Sequence, residues 1–144
     1  MEIPTLGIKN DLDPKIISEN SIVAVLGVCN CTLAVREHAL DKYNERNGNT
    51  TCPTIFELTQ LQYQLINSKV IKRKNEAKLF LKHGQEKAMY RIQKGWMFVL
   101  VWKEKLKLWL LKTAYPVGPH KMRGYKVVQT RTDPRASTWS PSFV

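Results

Sequence analysis

Cysteine is scarce in this 144-residue chain, which carries only Cys29, Cys31 and Cys52. An odd number, with two of the three one residue apart, argues against a disulfide framework. A C-x-C pair with one distant partner and three scattered histidines also falls short of a zinc ligand set. The thiols therefore read as small apolar side chains in a reducing compartment, and neither a metal nor another cofactor is expected. Long apolar runs are missing as well: IVAVLGVCNCTLAV, residues 22–35, is shorter than the roughly 20 residues a membrane helix needs, and it contains Asn30. An acidic segment precedes it, unlike the basic start of a secretory signal. The run reads as core. The expected setting is a cytoplasm, the cell's own or that of a target cell into which other machinery delivers the chain, with no membrane partner.

Negative charge is the third scarcity. Against 23 Lys and Arg stand 12 Asp and Glu, for a net charge of +11, and such an excess favours a polyanionic partner. The excess is local. Residues 1–60 hold 5 basic against 8 acidic side chains, whereas residues 61–144 hold 18 against 4. A protein that masks the basic part, such as an antitoxin or immunity protein, would be acidic, because complementary potentials steer encounter.

What is present suffices for one domain: 43% of the residues are hydrophobic, and no internal repeat is visible. Residues 1–20, with two prolines and no sustained period, read as an N-terminal arm. SIVAVLGV reads as a buried strand or short helix, which periodicity cannot separate. From Leu33 the pattern turns helical, with Ala39, Leu40 and Tyr43 on one side and NG at 47–48 as a stop. Thr54 and Glu57 stand in capping-box relation ahead of a second helix that carries Ile55, Leu58, Leu61, Leu65 and Ile66. The character then changes to β. KAMYRIQ, WMFVLVW and LKLWLLKTAYP form three antiparallel strands joined by turns at KG and EK, with GYKVVQT as a further edge candidate. The expected fold is α+β, with N-terminal helices packed on a small antiparallel β-sheet. The expected compact domain spans residues 21–117, and residues 118–144 form a basic extension, partly mobile, in which Trp139 and Phe143 are candidate partner contacts.

Three groups of residues carry candidate chemistry. In REHALDKYNER, His38, Lys42 and Arg46 lie four apart, so like charges neighbour one another on a helix at a small cost. By the 100° step of a helix this stripe borders the buried face, where a helix meeting a sheet leaves a groove. An imidazole beside two permanent cations suits phosphodiester cleavage, although Lys42 with Glu45 and His38 with Asp41 could simply form a solvated face. Second, Thr113 and Tyr115 share one side of a strand end, with Ala114 opposite. Third, Lys72, Arg73, Lys74, Lys78, Lys82 and Lys112, within a wider basic field, can hold backbone phosphates without reading sequence.

HALDKYNER on a helix, a second helix, then YRI, WMFVLV and LLKTAYP on successive strands resemble the ribonuclease superfamily that unites barnase, EndoU, the tRNA-cleaving colicins and RelE. The likeness is greatest to its phage- and polymorphic-toxin-associated branches, and it covers about residues 33–117. The resemblance implies a metal-independent endoribonuclease toxin or effector acting on RNA, with tRNA among the candidates. In such enzymes the ribose 2′-hydroxyl attacks the adjacent phosphate, leaving a 2′,3′-cyclic phosphate. It further implies His38 as general base or acid, Lys42 and Arg46 as phosphate holders, and Thr113 and Tyr115 as the hydroxyl residues of the last strand. Lys42 departs from the Arg that many relatives carry. Two alternatives remain beside it: a non-catalytic RNA- or DNA-binding phage or accessory protein of the same fold, and a module that binds an acidic protein.

Overall fold

In the computed structural model, residues 3–47, 55–76, 81–83, 86–128 and 139 are described, with side chains 81–83 excepted. The apolar run at 22–35 resolves into two strands, β2 (Ile22–Val28) and β3 (Cys31–Arg36), joined by a turn. Cys29 and Asn30 adopt φ of 49° and 65°, the left-handed pair that a two-residue hairpin needs to match the strands' twist. Both faces of this hairpin are covered. Ala24, Leu26, Val28, Leu33 and Val35 point into one apolar cluster, and Ile22, Val25 and Ala34 into another. Covering both faces is why the run shows no alternation in sequence.

The expected fold class is therefore corrected. Among the described residues the chain forms one mixed sheet of nine strands rather than N-terminal helices on a small antiparallel sheet. The remaining strands are β1 (Thr5–Leu6), β4 (Lys69–Arg73), β5 (Leu81–His83), β6 (Glu86–Gln93), β7 (Trp96–Lys103), β8 (Leu108–Pro116) and β9 (Tyr125–Val127). Their order is β1-β2-β3-β8-β7-β6-β4-β9, with β5 on the edge of β6. Strands β6, β7 and β8 form the antiparallel meander that the alternation predicts. The N-terminal hairpin then joins it through a parallel β3/β8 pairing, and β1 runs parallel to β2. Sequence order does not reveal such a crossover, because strand partners in a parallel pair lie far apart in the chain.

Among the described residues four helices cover the sheet unevenly. On one face lie α2 (Glu37–Arg46) and α3 (Ile55–Ile66), which bury Ala39, Leu40, Tyr43, Leu58, Leu61 and Leu65 against Phe98, Leu100, Trp109 and Leu111. Thr54, the capping residue expected for α3, falls outside the described residues. Trp139 joins this core at 0% exposure: its ring stands edge-on to Trp109, and its carbonyl accepts from Trp109 Nε1 at 2.9 Å. The residue expected to contact a partner is thus a core anchor, whereas Phe143 lies outside the described residues. On the opposite face the six-residue α1 (Pro14–Glu19) packs Ile16 and Ile17 at one end, and the four-residue α4 (Pro119–Met122) packs Met122 at the other. Between them no helix among the described residues covers the sheet.

Candidate functional site

Strand β3 pairs with β8 only as far as Val35 opposite Leu111. Beyond that point α2 takes the place of β3 and packs along β8, so the first turn of the helix lies next to Lys112 and Thr113. The pairing of β8 with β7 is irregular at the same place: Thr113 faces Val99 and Leu111 faces Leu100, which leaves Lys112 as an extra residue on β8. Such a bulge re-aims side chains. Leu111 and Ala114 point to the helix-covered core, while the adjacent Lys112 and Thr113 both line the uncovered face.

These features border an open cavity of about 600 Å³, lined by Arg36, His38, Tyr90, Val99, Lys112, Thr113 and Tyr115. Val99 forms the floor, opposite Tyr90 on one neighbouring strand and Thr113 on the other. Among the described residues the lining contains two permanent cations, an imidazole, a hydroxyl and two phenols, and no carboxylate. Among the described residues neither Arg36 nor Lys112 forms an ion pair. Two uncompensated cations in a concave surface focus a positive potential there, which is how a site for an anion is built.

Of the residues expected in the site, His38, Thr113, Tyr115 and Lys112 meet in this cavity, and Lys42 and Arg46 do not line it. Lys42 Nζ lies 3.5 Å from Glu45 on the helix surface. The Arg46 guanidinium donates to the Ala114 carbonyl and sits 5.9 Å from the centre of the Tyr115 ring. It thereby supplies a donor to β8 past the point where the β3 pairing ends. Lys121 of α4 lies 5.7 Å from the same ring. Burial pushes the Tyr115 phenol up, with Tyr125 and Tyr90 adding to the shift and Arg46 opposing it.

The wider basic field is spread over the far edge of the sheet. Lys72 and Arg73 lie on β4 opposite Lys126 and Tyr125, and the Lys74 backbone N–H donates to the Gly124 carbonyl at 3.0 Å. Lys82 pairs with Lys87 across the β5/β6 hairpin, and Lys78 lies outside the described residues. Two lining residues escaped the sequence reading. Arg36 ends β3 and precedes α2, so it reads as a helix flank, and only its position two residues before His38 hinted at a role. Tyr90 looks like any aromatic in an alternating strand.

Among the described residues no group of three or more His, Cys, Asp and Glu could hold a metal ion, and no helix is long and apolar enough to cross a membrane. Comparison with protein-family models, curated proteins and solved structures finds no match to the chain.

Proposed function

We propose that the chain is an endoribonuclease that cleaves RNA with its own side chains, and that the Arg36–His38–Lys112–Thr113–Tyr115 cavity is its active site. The observation that carries this reading is a cavity in which, among the described residues, two cations without an ion pair stand beside an imidazole and no carboxylate joins the lining. Arg36 and Lys112 hold the non-bridging oxygens of one phosphate and stabilise the charge that grows on them. His38 takes the proton from the ribose 2′-hydroxyl, whose oxygen attacks the adjacent phosphorus. The bond from phosphorus to the 5′-oxygen breaks, and that oxygen receives a proton from the Tyr115 phenol. The products are a 2′,3′-cyclic phosphate and a 5′-hydroxyl. In this reading the protein acts in a cytoplasm, its own or a target cell's, as a toxin or effector, and a protein that restrains it is acidic and covers the cavity.

A second reading has its own observation. His38 is exposed, and no described side chain accepts or donates a hydrogen bond to orient it, whereas a catalytic base is usually held by a third group. The cavity would then bind phosphate without cleaving. Incubation of wild-type and His38→Ala protein with total RNA in EDTA, with the new ends mapped, separates the two. Cyclic-phosphate ends that disappear in the variant support the nuclease. Salt-sensitive binding by both proteins with no cleavage by either supports the binder.

A further inference from the structure

Among the described residues four large hydrophobic side chains stand exposed, and three of them, Ile55 (55%), Phe56 (78%) and Tyr63 (59%), lie on α3. The inner side of this helix faces the core through Leu58, Leu61 and Leu65, and Gln62 ties it to the sheet by donating to the Gly27 carbonyl at 2.9 Å. Along the outer side run Phe56, Thr59, Gln60 and Tyr63, all exposed. That side carries no charge, because the one acidic residue of α3, Glu57, is buried and the helix holds no Lys or Arg. The other three helices all expose charged side chains: Lys15 and Glu19 on α1, Asp41, Glu45 and Arg46 on α2, Lys121 on α4.

We infer that the outer side of α3 is a self-association surface, on which a second copy of this chain docks its own α3 in antiparallel orientation. Charge favours that occupant. Two copies at +11 each repel wherever their basic surfaces meet, and the charge-free side of α3 is where they approach at the lowest cost. A nucleic acid finds no cation on this side of the helix, and an acidic protein is drawn to the basic surfaces instead.

Symmetry favours it as well. Phe56 and Tyr63 are seven residues apart, so they stand about 10.5 Å apart along the helix and within about 20° of each other around it. A two-fold axis between Thr59 and Gln60 sets each copy's Phe56 against the other's Tyr63, two equivalent aromatic contacts made by one patch, as an isologous interface requires. Thr59, at the axis, is small, and its hydroxyl already donates to the Ile55 carbonyl at 2.7 Å, so covering it leaves no donor open. At roughly 200 Å² for a large side chain, the three exposures leave on the order of 400 Å² open on each copy. With Thr59 and Gln60 added, the pair buries about 1,000 Å² in all, the low end for specific association, which corresponds to a dimer with Kd on the order of tens of micromolar. Helix α3 covers the sheet face opposite the Arg36–Lys112 cavity, so docking there is independent of what the cavity does.

The test is sedimentation velocity of the full chain over concentrations that span this Kd, at low and high salt, with Phe56→Glu, Tyr63→Lys and their equimolar mixture. Both positions are exposed, and an acid near the start of a helix and a base near its end suit the helix dipole, so both variants keep the fold. Wild type passes from monomer to dimer as concentration rises, and more readily at high salt, which screens the repulsion between copies. Each variant alone weakens the dimer about tenfold or more. At low salt the mixture restores it, because only antiparallel pairing brings the introduced glutamate of one copy against the introduced lysine of the other. A wild type that stays monomeric throughout, or a dimer that both variants leave intact, overturns the surface. A mixture that stays monomeric overturns the antiparallel pairing.

Discussion

Replacing Arg36 by Ala tests whether the anion site lies in the cavity or along the α2 stripe. Arg36 is half-buried and unpaired among the described residues, so in the free protein the substitution breaks no ion pair and costs the fold under about 1 kcal/mol. In the complex it removes a hydrogen bond to a charged phosphate, about 1.5–3 kcal/mol, or roughly 10- to 150-fold in affinity. It also removes one counterion released on binding, so the slope of log affinity against log salt drops by about 0.7 for a single strand. Lys42→Ala provides the contrast. Lys42 is paired with Glu45 at 3.5 Å, with side chains 37% and 69% exposed, and an exposed pair of this kind is worth about 0.5 kcal/mol. Its loss changes RNA affinity by less than about threefold, a difference that corresponds to about 0.65 kcal/mol. The assay is fluorescence anisotropy on a 2′-O-methyl single strand, which cannot be cleaved, at several salt concentrations. Equal losses in the two variants, or a larger loss for Lys42→Ala, would refute the cavity as the phosphate site.

Three further outcomes concern the scaffold. Trp139→Ala empties a fully buried position that packs on Trp109, with the Arg91 guanidinium 4.2 Å from its ring centre, and lowers stability by about 3–5 kcal/mol in denaturant titration; a loss under about 1 kcal/mol contradicts its role as a core anchor. Burial raises the Tyr43 phenol to about 12, against an opposing hydrogen bond with Asn47. The folded state therefore holds that proton more tightly than the unfolded chain, and the associated stability, intact below about pH 10, is lost as pH rises to about 12, on the order of 2–3 kcal/mol. Tyr43→Phe makes the alkaline fall in stability shallower, and identical profiles for the two proteins would count against the assignment. Gly27→Ala places a methyl group 2.5 Å from the Gly7 carbonyl oxygen, which forces β1 away from β2 at about 1–3 kcal/mol; an unchanged melting profile would show that β1 contributes nothing to the fold.

Strands β6, β7 and β8 were legible because their turns announce themselves. Lys94 and Gly95 take φ of 46° and 78°, as a tight KG hairpin requires, and YRI alternates as a half-covered strand does. Helix α2 was legible from Ala39, Leu40 and Tyr43, all within 1% of complete burial. The β2/β3 hairpin was not, since two-sided burial erases the period that separates strand from helix, and its Cys29–Asn30 turn lacks the glycine that usually marks one. Once that hairpin was misread, the mixed sheet was out of reach, because its parallel seam depends on Leu33, Ala34 and Val35 lying beside Trp109, Leu110 and Leu111.

The site was half legible for a related reason. His38, Thr113 and Tyr115 could be picked by chemical type and by simple alternation, and alternation does hold from Thr113 to Tyr115. It fails one step earlier. On a regular strand Lys112 and Thr113 would point to opposite faces, and the lysine would stand with the core residues if the threonine stood in the cavity. The extra residue in β8 turns both to the same side, so a cation and a hydroxyl adjacent in sequence become adjacent in the cavity. Arg36 enters by the complementary route: it is the last residue of a strand whose partner continues, and where the helix that follows packs along β8 its side chain lines the cavity beside Lys112. The charge of the cavity thus comes from two breaks in regular pairing, the bulge at Lys112 and the end of β3 at Arg36. Neither leaves a periodic trace in the sequence. The helical stripe that does leave one, His38–Lys42–Arg46, contributes only its first member to the lining, while its last, Arg46, fills the backbone gap that the ending strand leaves on β8.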